Sequence, residues 1–273
     1  MTDQLKLPPF VARLPRNGLT RRLLRWRPPA PPPGWRTGPP DFVGVGAQRA
    51  GSSWWYRVGV ESHPHVARVP GRMKELQYFT RFWHEDVPPD FVASYHDYFP
   101  RPEGAITGEW TPRYMFDHWS MRMLREAAPD AKVLVILRDP VERYRSALEA
   151  WSPTRGRQRK GLDALAAAVA RSAYADQLRG VFASFPRAQV LVLQYEKCTA
   201  DPAGQMRRTW EFLGLDPGDQ AGEEPPEETR APRPKPELAA EVRADLVARL
   251  RRDVEDVADL CPELDVSLWR NFA

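Results

Sequence analysis

Residues 41–54 run Asp41-Phe-Val-Gly-Val-Gly-Ala-Gln-Arg-Ala-Gly-Ser-Ser-Trp54: an apolar segment, a loop between two glycines, and a pair of serines. The segment from Phe42 to Val45 predicts a buried strand, and Ser52 and Ser53 predict the start of a helix. In this layout the backbone N–H groups at the helix start point toward an anion, and the helix dipole favours negative charge there. The stretch therefore predicts a phosphate-binding loop.

The spacing between Gly46 and Gly51 is that of the Walker loop, but the next residue is Ser52, where a nucleoside triphosphatase has lysine. In those enzymes the lysine reaches the β- and γ-phosphates. The loop is thus predicted to bind a phosphate without the γ-phosphate chemistry of ATP. A basic residue does occur within it, at Arg49.

A second segment has the same order of strand, turn and helix. The apolar run Val133–Leu137 suits a strand that is covered on both faces of a parallel sheet. Arg138 follows it directly, at the end of the strand where ligands bind in open α/β sheets. Asp139 and Pro140 are typical of a helix start, with Ser146 about two turns further along.

Strands and helices alternate along the chain, which predicts an α/β fold of the P-loop type: three layers, with a central parallel sheet flanked by helices. Of the 273 residues, we assign 1–40 to a basic, proline-rich extension and 41–273 to one domain. Further strands are predicted at 66–69, 106–109 and 189–194, and helices at 88–98, 117–128, 139–151, 164–185, 202–213 and 236–260.

The charge balance is mildly basic, with a net charge of +4 and a pI of about 9.2. This suits an anionic ligand but is too small to indicate a nucleic acid partner. The two cysteines, Cys198 and Cys261, and the five histidines show no metal spacing, so no metal is expected. No apolar run is long enough to span a membrane, and residues 1–27 lack the apolar core of a signal peptide, so we expect a cytoplasmic protein. The oligomeric state is not indicated.

The two motifs together resemble the donor-binding signature of sulfotransferases that use 3′-phosphoadenosine 5′-phosphosulfate, and are most similar to the heparan-sulfate type. Gly-Ala-Gln-Arg-Ala-Gly-Ser-Ser at 46–53 and Leu-Arg-Asp-Pro-Val-Glu-Arg-Tyr-Arg-Ser at 137–146 occur in the family's order. The resemblance implies that the first loop holds the 5′-phosphosulfate and that Arg138 and Ser146 hold the 3′-phosphate. The implied donor-binding residues are Gln48, Arg49, Ala50, Gly51, Ser52, Ser53, Arg138 and Ser146, with Arg230 and Arg233 as candidates in a loop that closes over the donor or is simply solvated.

The segment Lys74-Glu-Leu-Gln-Tyr-Phe79 resembles the part of the family that carries its catalytic glutamate, which implies that Glu75 is the general base. The residues alone also allow an ion pair between Glu75 and Lys74 or Arg72. Arg49, where relatives commonly have lysine, is the candidate charge stabiliser on the leaving phosphate. Arginine keeps the charge but does not donate a proton as a weak acid.

The segment Gly108–Tyr114 resembles the family's Glu-Lys-Ser/Thr-Pro-x-Tyr sequence. The resemblance implies that Gln77, Trp110 and Tyr114 contact the acceptor. Trp110 replaces a lysine that relatives often carry, which suggests an acceptor less anionic than a glycosaminoglycan. Tryptophans near the predicted cleft either stack on a sugar or aromatic acceptor or belong to the core; they are Trp54, Trp55, Trp83, Trp110, Trp119 and Trp151.

The sequence thus predicts a sulfotransferase that acts on a hydroxyl, or with less support an amine, of a saccharide or other small-molecule acceptor. One alternative is a phosphotransferase on a P-loop scaffold, against which Ser52 in place of lysine and the lack of a clear Walker B aspartate weigh. The other is a non-catalytic nucleotide-binding protein, against which the presence of Glu75 weighs.

Overall fold

A computed structural model describes Pro28 and residues 30–69, 72–150, 162–218 and 237–273. Most of the predicted N-terminal extension, together with Trp151, Arg230 and Arg233, lies outside the described residues. The domain boundary at residue 40 and the donor-closing role of the two arginines stay predictions.

Four parallel strands form the central sheet, in the order β2-β1-β3-β4. Strand β1 spans Phe42–Gly46, β2 Gly108–Trp110, β3 Lys132–Leu137 and β4 Val190–Gln194. Apart from the partly exposed Lys132, every strand residue is buried, as expected for a parallel sheet covered on both faces. The predicted α/β fold with a central parallel sheet flanked by helices is confirmed.

The predicted helices occur in order along the chain, and a short helix that the sequence did not predict follows β4. They are α1 Ser52–Trp55, which continues as a π-helical turn Tyr56–Val60, α2 Phe91–His96, α3 His118–Ala127, α4 Pro140–Ala150, α5 Leu162–Ala170, α6 Ala175–Ser184, α7 Tyr195–Ala200, α8 Pro202–Leu213 and α9 Ala240–Leu260. The predicted start of α4 is confirmed, since the Asp139 carboxylate accepts bonds from the N–H groups of Val141 at 2.9 Å and Glu142 at 3.2 Å.

Two local predictions differ from the structure. The helix predicted over 164–185 is divided into α5 and α6, because the Asp253 carboxylate from α9 accepts bonds from Tyr174 N at 2.7 Å and Ala175 N at 2.9 Å and so caps α6. The strand predicted at 66–69 is reduced to a single bridge between Val66 and Ile106.

The strand order indicates where along the carboxyl ends of the strands a ligand would bind. Strand β1 pairs with β2 on one side and β3 on the other, so the connection that leaves β1 runs to β2 and the one that leaves β3 runs to β4, in opposite directions. In open α/β sheets, ligands bind in the crevice outside the carboxyl ends of the strands at such a switch point. The segments that emerge there are the glycine-bounded loop after β1 and Arg138 after β3.

Close packing between β1 and β2 depends on a glycine. A Cβ atom added to Gly44 would lie 2.0 Å from the indole ring of Trp110, which is fully buried. The Trp110 indole N–H also donates to the Gly46 carbonyl at 3.1 Å. The tryptophan side chain therefore lies flat against β1 only because position 44 has no side chain.

We predict that Gly44→Ala destabilises the protein by about 1–3 kcal/mol or more, because it forces the indole out of its place. Urea unfolding measures the free energy. The matched control is Gly180→Ala within α6, where an added Cβ meets nothing within 4 Å. That variant should be neutral or stabilising by up to about 1 kcal/mol, since glycine is unfavourable in a helix interior. Equal losses for both variants would contradict the packing argument.

Candidate functional site

The loop after β1 is built so that its backbone lies close to its neighbours. Gly51 has φ +99°, and an added Cβ would lie 2.5 Å from the ring of Tyr195, so a glycine is required. A Cβ at Gly46 would lie 1.6 Å from the Met115 sulfur. The loop is thus held between the residues that follow β2 and β4.

The loop residues present different groups to the crevice. Ala50 and Ser52 are buried, and the Ala50 N–H donates to the Ala47 carbonyl at 3.3 Å. The first N–H groups of a helix lack intrahelical acceptors, so those at the start of α1 suit an anion. Arg49 and Ser53 are exposed, and Gln48 is half-buried. These six predicted donor-binding residues, 48–53, lie together at the start of α1.

The two donor motifs meet in the structure. Arg49 Nε donates to the backbone carbonyl of Ser146 at 2.9 Å, across 97 residues of sequence. Ser146 lies on α4 and is mostly buried. The predicted convergence of the first loop with the 137–146 segment follows from the adjacency of β1 and β3.

Arg138 has a surrounding that suits an anion. Its guanidinium carbon lies 4.4 Å from the centre of the Tyr195 ring, and its Nη2 is 3.9 Å from the Glu142 carboxylate, at the outer limit of an ion pair. Its Nε is buried and has no hydrogen-bond partner within the described ranges. An unsatisfied buried donor typically costs about 1–3 kcal/mol, and a phosphate oxygen would remove that cost. This residue therefore fits a phosphate of the donor.

Arg143 is a residue that sequence reasoning missed. It is 1% exposed, and its Nε and Nη1 find no hydrogen-bond partner in the part of the chain that the structure describes. Burial, together with the positive charges of Arg171 and Arg49, lowers the pKa of Arg143 to about 10, so it stays charged at neutral pH. Its position three residues before Ser146 on the same helix was the available signal. The side of the sheet at the carboxyl ends of the strands, called the donor edge below, therefore carries more positive charge around α4 than predicted.

A polar cluster joins the donor loop to the acidic segment. Lys74 Nζ donates to Ser53 Oγ at 3.0 Å and lies 3.3 Å from Glu75 Oε1. Gln77 Nε2 lies 3.5 Å from Glu75 Oε2, the upper limit for a hydrogen bond. The Glu75 side chain is 32% exposed, so a molecule in solution can reach its carboxylate. Of the two ion pairs open to Glu75, that with Lys74 forms, whereas Arg72 bonds Thr107 Oγ1 at 2.9 Å.

The segment from β2 onward holds Lys74–Tyr78 in place through four hydrogen bonds. They join Trp110 N to Lys74 O at 3.0 Å, Leu76 N to Glu109 Oε2 at 3.0 Å, Gln77 N to Thr111 Oγ1 at 3.0 Å, and Tyr78 N to Tyr114 Oη at 2.8 Å. The position of Glu75 is therefore set by β2, which pairs with β1, and by the residues that follow β2.

Glu109 is the centre of this support. Its carboxylate is fully buried and accepts hydrogen bonds from the hydroxyls of Tyr95 and Tyr114, both at 2.9 Å, and Thr111 at 2.6 Å. Burial raises the pKa of Glu109, and the bonds from Thr111 and Leu76 oppose that shift. Glu109 thus acts as a structural acceptor that ties the Glu75 segment to the sheet.

Two predicted acceptor-binding residues are corrected. Trp110 and Tyr114 are both fully buried, Trp110 against Gly44 and Tyr114 under the backbone of Tyr78. Their burial contradicts the prediction that either side chain contacts the acceptor directly; both instead support the Glu75 segment. Gln77 is half-buried and lies beside Glu75, and its contact with the acceptor stays a prediction.

The tryptophans divide between core and surface. Trp55 is fully buried and Trp54 packs against the core, whereas Trp83 is 69% exposed and stacks on Trp119 with ring centres 5.1 Å apart. Trp83 ends the short 3₁₀ turn that follows Gln77. Of the described tryptophans proposed for stacking, this pair offers the largest open surface.

The described residues contain no group of three or more His, Cys, Asp or Glu side chains arranged to hold a metal ion. Cys198 and Cys261 are buried free thiols. None of the helices in the described ranges combines the length and apolar character needed to cross a bilayer.

Comparison with known proteins gives a family. Residues 39–230 match the family model described as a sulfotransferase domain. Heparan sulfate glucosamine 3-O-sulfotransferase 6 of Mus musculus is 31% identical over 70% of this chain and 58% of its own length. The 3A1 enzyme of the same organism is 29% identical over 64% of this chain and 46% of its own. The chain spans about half the length of the curated relatives it matches.

Solved structures give the same fold. A sulfotransferase from Alicyclobacillus acidocaldarius aligns with a TM-score of 0.67 and 25% identity, covering 85% of this chain and 98% of that one. Sulfotransferase STF9 from Mycobacterium avium aligns with a TM-score of 0.55 and 14% identity, over 82% and 77% of the two chains, and shows the fold alone. Because the family match includes both donor motifs and the acidic segment between them, this chain belongs to the sulfotransferase family.

Proposed function

We propose that this protein transfers the sulfuryl group of 3′-phosphoadenosine 5′-phosphosulfate to a hydroxyl, or with less support an amine, of a sugar-containing or other small-molecule acceptor. The observation that carries the proposal is the bond from Arg49 Nε to the Ser146 carbonyl at 2.9 Å, which joins the two donor motifs at one edge of the sheet. The relatives named as heparan sulfate glucosamine 3-O-sulfotransferases support a sugar-type acceptor.

The donor's two anionic ends have separate partners in this proposal. The 5′-phosphosulfate binds along residues 48–53, where exposed Ser53 and Arg49 flank buried backbone N–H groups. The 3′-phosphate binds Arg138 and Ser146, and the unpaired Nε of Arg138 supports this assignment. Arg230 and Arg233 stay candidates for closing over the donor.

Glu75 is the proposed general base. The donor supplies the sulfuryl group together with a phosphate that leaves with the electron pair of the broken S–O bond. Glu75 accepts the proton of the acceptor hydroxyl as the new O–S bond forms, and a group in this role typically contributes about 10²–10⁴-fold in rate. Arg49 opposes the negative charge that grows on the leaving phosphate, the kind of stabilisation that preorganised cations provide. Gln77 orients the acceptor or the sulfuryl oxygens.

We expect adenosine 3′,5′-bisphosphate to bind more tightly than ATP, without magnesium, because the loop lacks the Walker lysine and Arg138 and Ser146 favour a 3′-phosphate. Titration calorimetry with both nucleotides, with and without magnesium, measures this. Equal or tighter magnesium-dependent binding of ATP would favour the phosphotransferase alternative and overturn the proposal.

Arg138→Ala should weaken binding of adenosine 3′,5′-bisphosphate by roughly 10- to 150-fold, since a charge-assisted bond contributes about 1.5–3 kcal/mol. Binding of adenosine 5′-monophosphate should hardly change, because it lacks the 3′-phosphate. Arg249→Ala, which removes a 65% exposed arginine on α9, is the control and should alter neither affinity. Equal losses for the two nucleotides would make Arg138 structural.

Glu75→Gln should lower turnover by about 10²–10⁴-fold and leave nucleotide affinity and melting temperature nearly unchanged, because the amide keeps the shape but not the basicity. The matched control is Glu255→Gln, which removes the charge of another carboxylate paired to a basic side chain, here Arg252 on α9. Labelled donor and a panel of saccharide and small hydroxylated acceptors, read by mass, measure turnover. Near wild-type turnover in Glu75→Gln would reject this residue as the base.

A further inference from the structure

Lys74 is the side chain that connects the donor loop with the predicted base. Its ammonium donates to Ser53 Oγ at 3.0 Å and lies 3.3 Å from Glu75 Oε1, and the side chain is only 18% exposed. Ser53 is the exposed hydroxyl at the end of the loop, whereas Glu75 faces the solution. The ammonium therefore lies between the group that would bind the donor and the group that would deprotonate the acceptor.

The backbone fixes this position independently of the two contacts. The Lys74 carbonyl accepts a bond from Trp110 N at 3.0 Å, and the next bond along joins Leu76 N to Glu109. Trp110 belongs to β2, whose partner in the sheet is β1, the strand that leads into the loop. Lys74 is thus placed beside the loop by strand pairing, and its stem has little freedom to leave.

The two positions where relatives commonly have lysine, 49 and 110, place no ammonium beside Ser53 and Glu75 in this chain. Arg49 has its Nε engaged with the Ser146 carbonyl, and Trp110 is uncharged and buried. Two further lysines are described. Lys132 begins β3, at the amino end of the strands, and Lys197 donates to the Glu263 carbonyl at 2.8 Å. Of the three described lysines, Lys74 is therefore the one whose ammonium contacts the donor loop, through Ser53.

The surroundings of Lys74 also suit an anion. Burial lowers the pKa of Lys74, while the carboxylate of Glu75 opposes that shift by favouring the charged form. A cation that has lost part of its hydration interacts more strongly with a nearby anion than one in bulk water. A further oxyanion beside Ser53 would therefore find a cation whose water is already partly removed.

We infer that Lys74 is a further catalytic residue, whose ammonium binds the oxygens of the 5′-phosphosulfate and stabilises the leaving phosphate. This rests on the proposed sulfuryl transfer. In that step the acceptor oxygen forms a bond to sulfur, the bond from sulfur to the phosphate oxygen breaks, and its electron pair stays on the phosphate. The acceptor's proton passes to Glu75, and Lys74 keeps its own protons throughout.

A purely structural role makes a different prediction. If Lys74 only pairs with Glu75, its loss would change the Glu75 carboxylate and the stability of the segment but would not distinguish one nucleotide from another. If it binds the 5′-phosphosulfate, its loss affects only ligands that carry a 5′-phosphate. The two readings are therefore separated by binding measurements that need no acceptor.

The test uses the full chain with Lys74→Met, which keeps the length of the stem and removes the charge. Calorimetry should show at least about 10-fold weaker binding of adenosine 3′,5′-bisphosphate and less than about 2-fold change for adenosine 3′-monophosphate. Lys74→Arg should recover most of the lost affinity. Lys132→Met, the same substitution at the lysine that begins β3, at the amino end of the strands, should change neither affinity. With an acceptor in hand, kcat of Lys74→Met should fall by about 10²-fold.

Unchanged binding of the bisphosphate in Lys74→Met would overturn the inference, as would equal losses for both nucleotides. Should Lys74→Met fail to fold, Lys74→Gln is compared with Lys74→Arg by the same ratio of affinities, and equal ratios would reject the role. The wild-type protein separates this result from the proposed function. If it prefers the bisphosphate to ATP while Lys74→Met binds like wild type, the sulfotransferase proposal stands and the proposed role of Lys74 is rejected.

Discussion

The pairing of β1 with β2 on one side and β3 on the other is the constraint on which the site depends. Because all three strands are parallel, their carboxyl ends meet at one edge, and each supplies a different part of the site. The loop after β1 carries Arg49 and Ser53, and the turn after β3 carries Arg138. Strand β2 and the segment after it hold the Glu75 segment through hydrogen bonds. The flat packing of Trp110 on Gly44 keeps β1 and β2 in register, so a residue in the core contributes directly to the geometry of the site.

The Glu75 segment has no regular structure of its own, and its order comes from bonds to β2 and the turn after it. Backbone N–H groups of Leu76, Gln77 and Tyr78 all donate to side chains of the 109–114 stretch. The structure tolerates a buried carboxylate at Glu109 because four hydrogen-bond donors surround it. Such support keeps a functional group on irregular backbone in one place, which a reaction that depends on orientation requires.

The donor edge concentrates positive charge that the protein itself satisfies only in part. Arg138 and Arg143 have buried guanidinium nitrogens without partners in the described residues, and Arg143 also lies within the field of Arg49 and Arg171. Burying guanidinium nitrogens without acceptors lowers the stability of the fold. A phosphate oxygen would supply the missing acceptor at Arg138, which is 13% exposed, whereas Arg143 is too deeply buried for a ligand to reach.

The alternation of strands and helices, the glycine-bounded loop and the Asp139 cap could be predicted from the sequence, because they depend on local periodicity and on residues close in the chain. The joint role of the loop and the Arg138–Ser146 motif, which meet across 97 residues, was implied only by the family resemblance. Only the tertiary structure shows that Trp110 and Tyr114 are buried supports, that Asp253 divides the helix predicted over 164–185, that two guanidinium nitrogens of Arg143 lack partners among the described residues, and that Lys74 joins Ser53 to Glu75. A motif identifies which residue types occur, but burial and hydrogen-bond partners arise between segments far apart in sequence, and only the packed sheet brings those segments into contact.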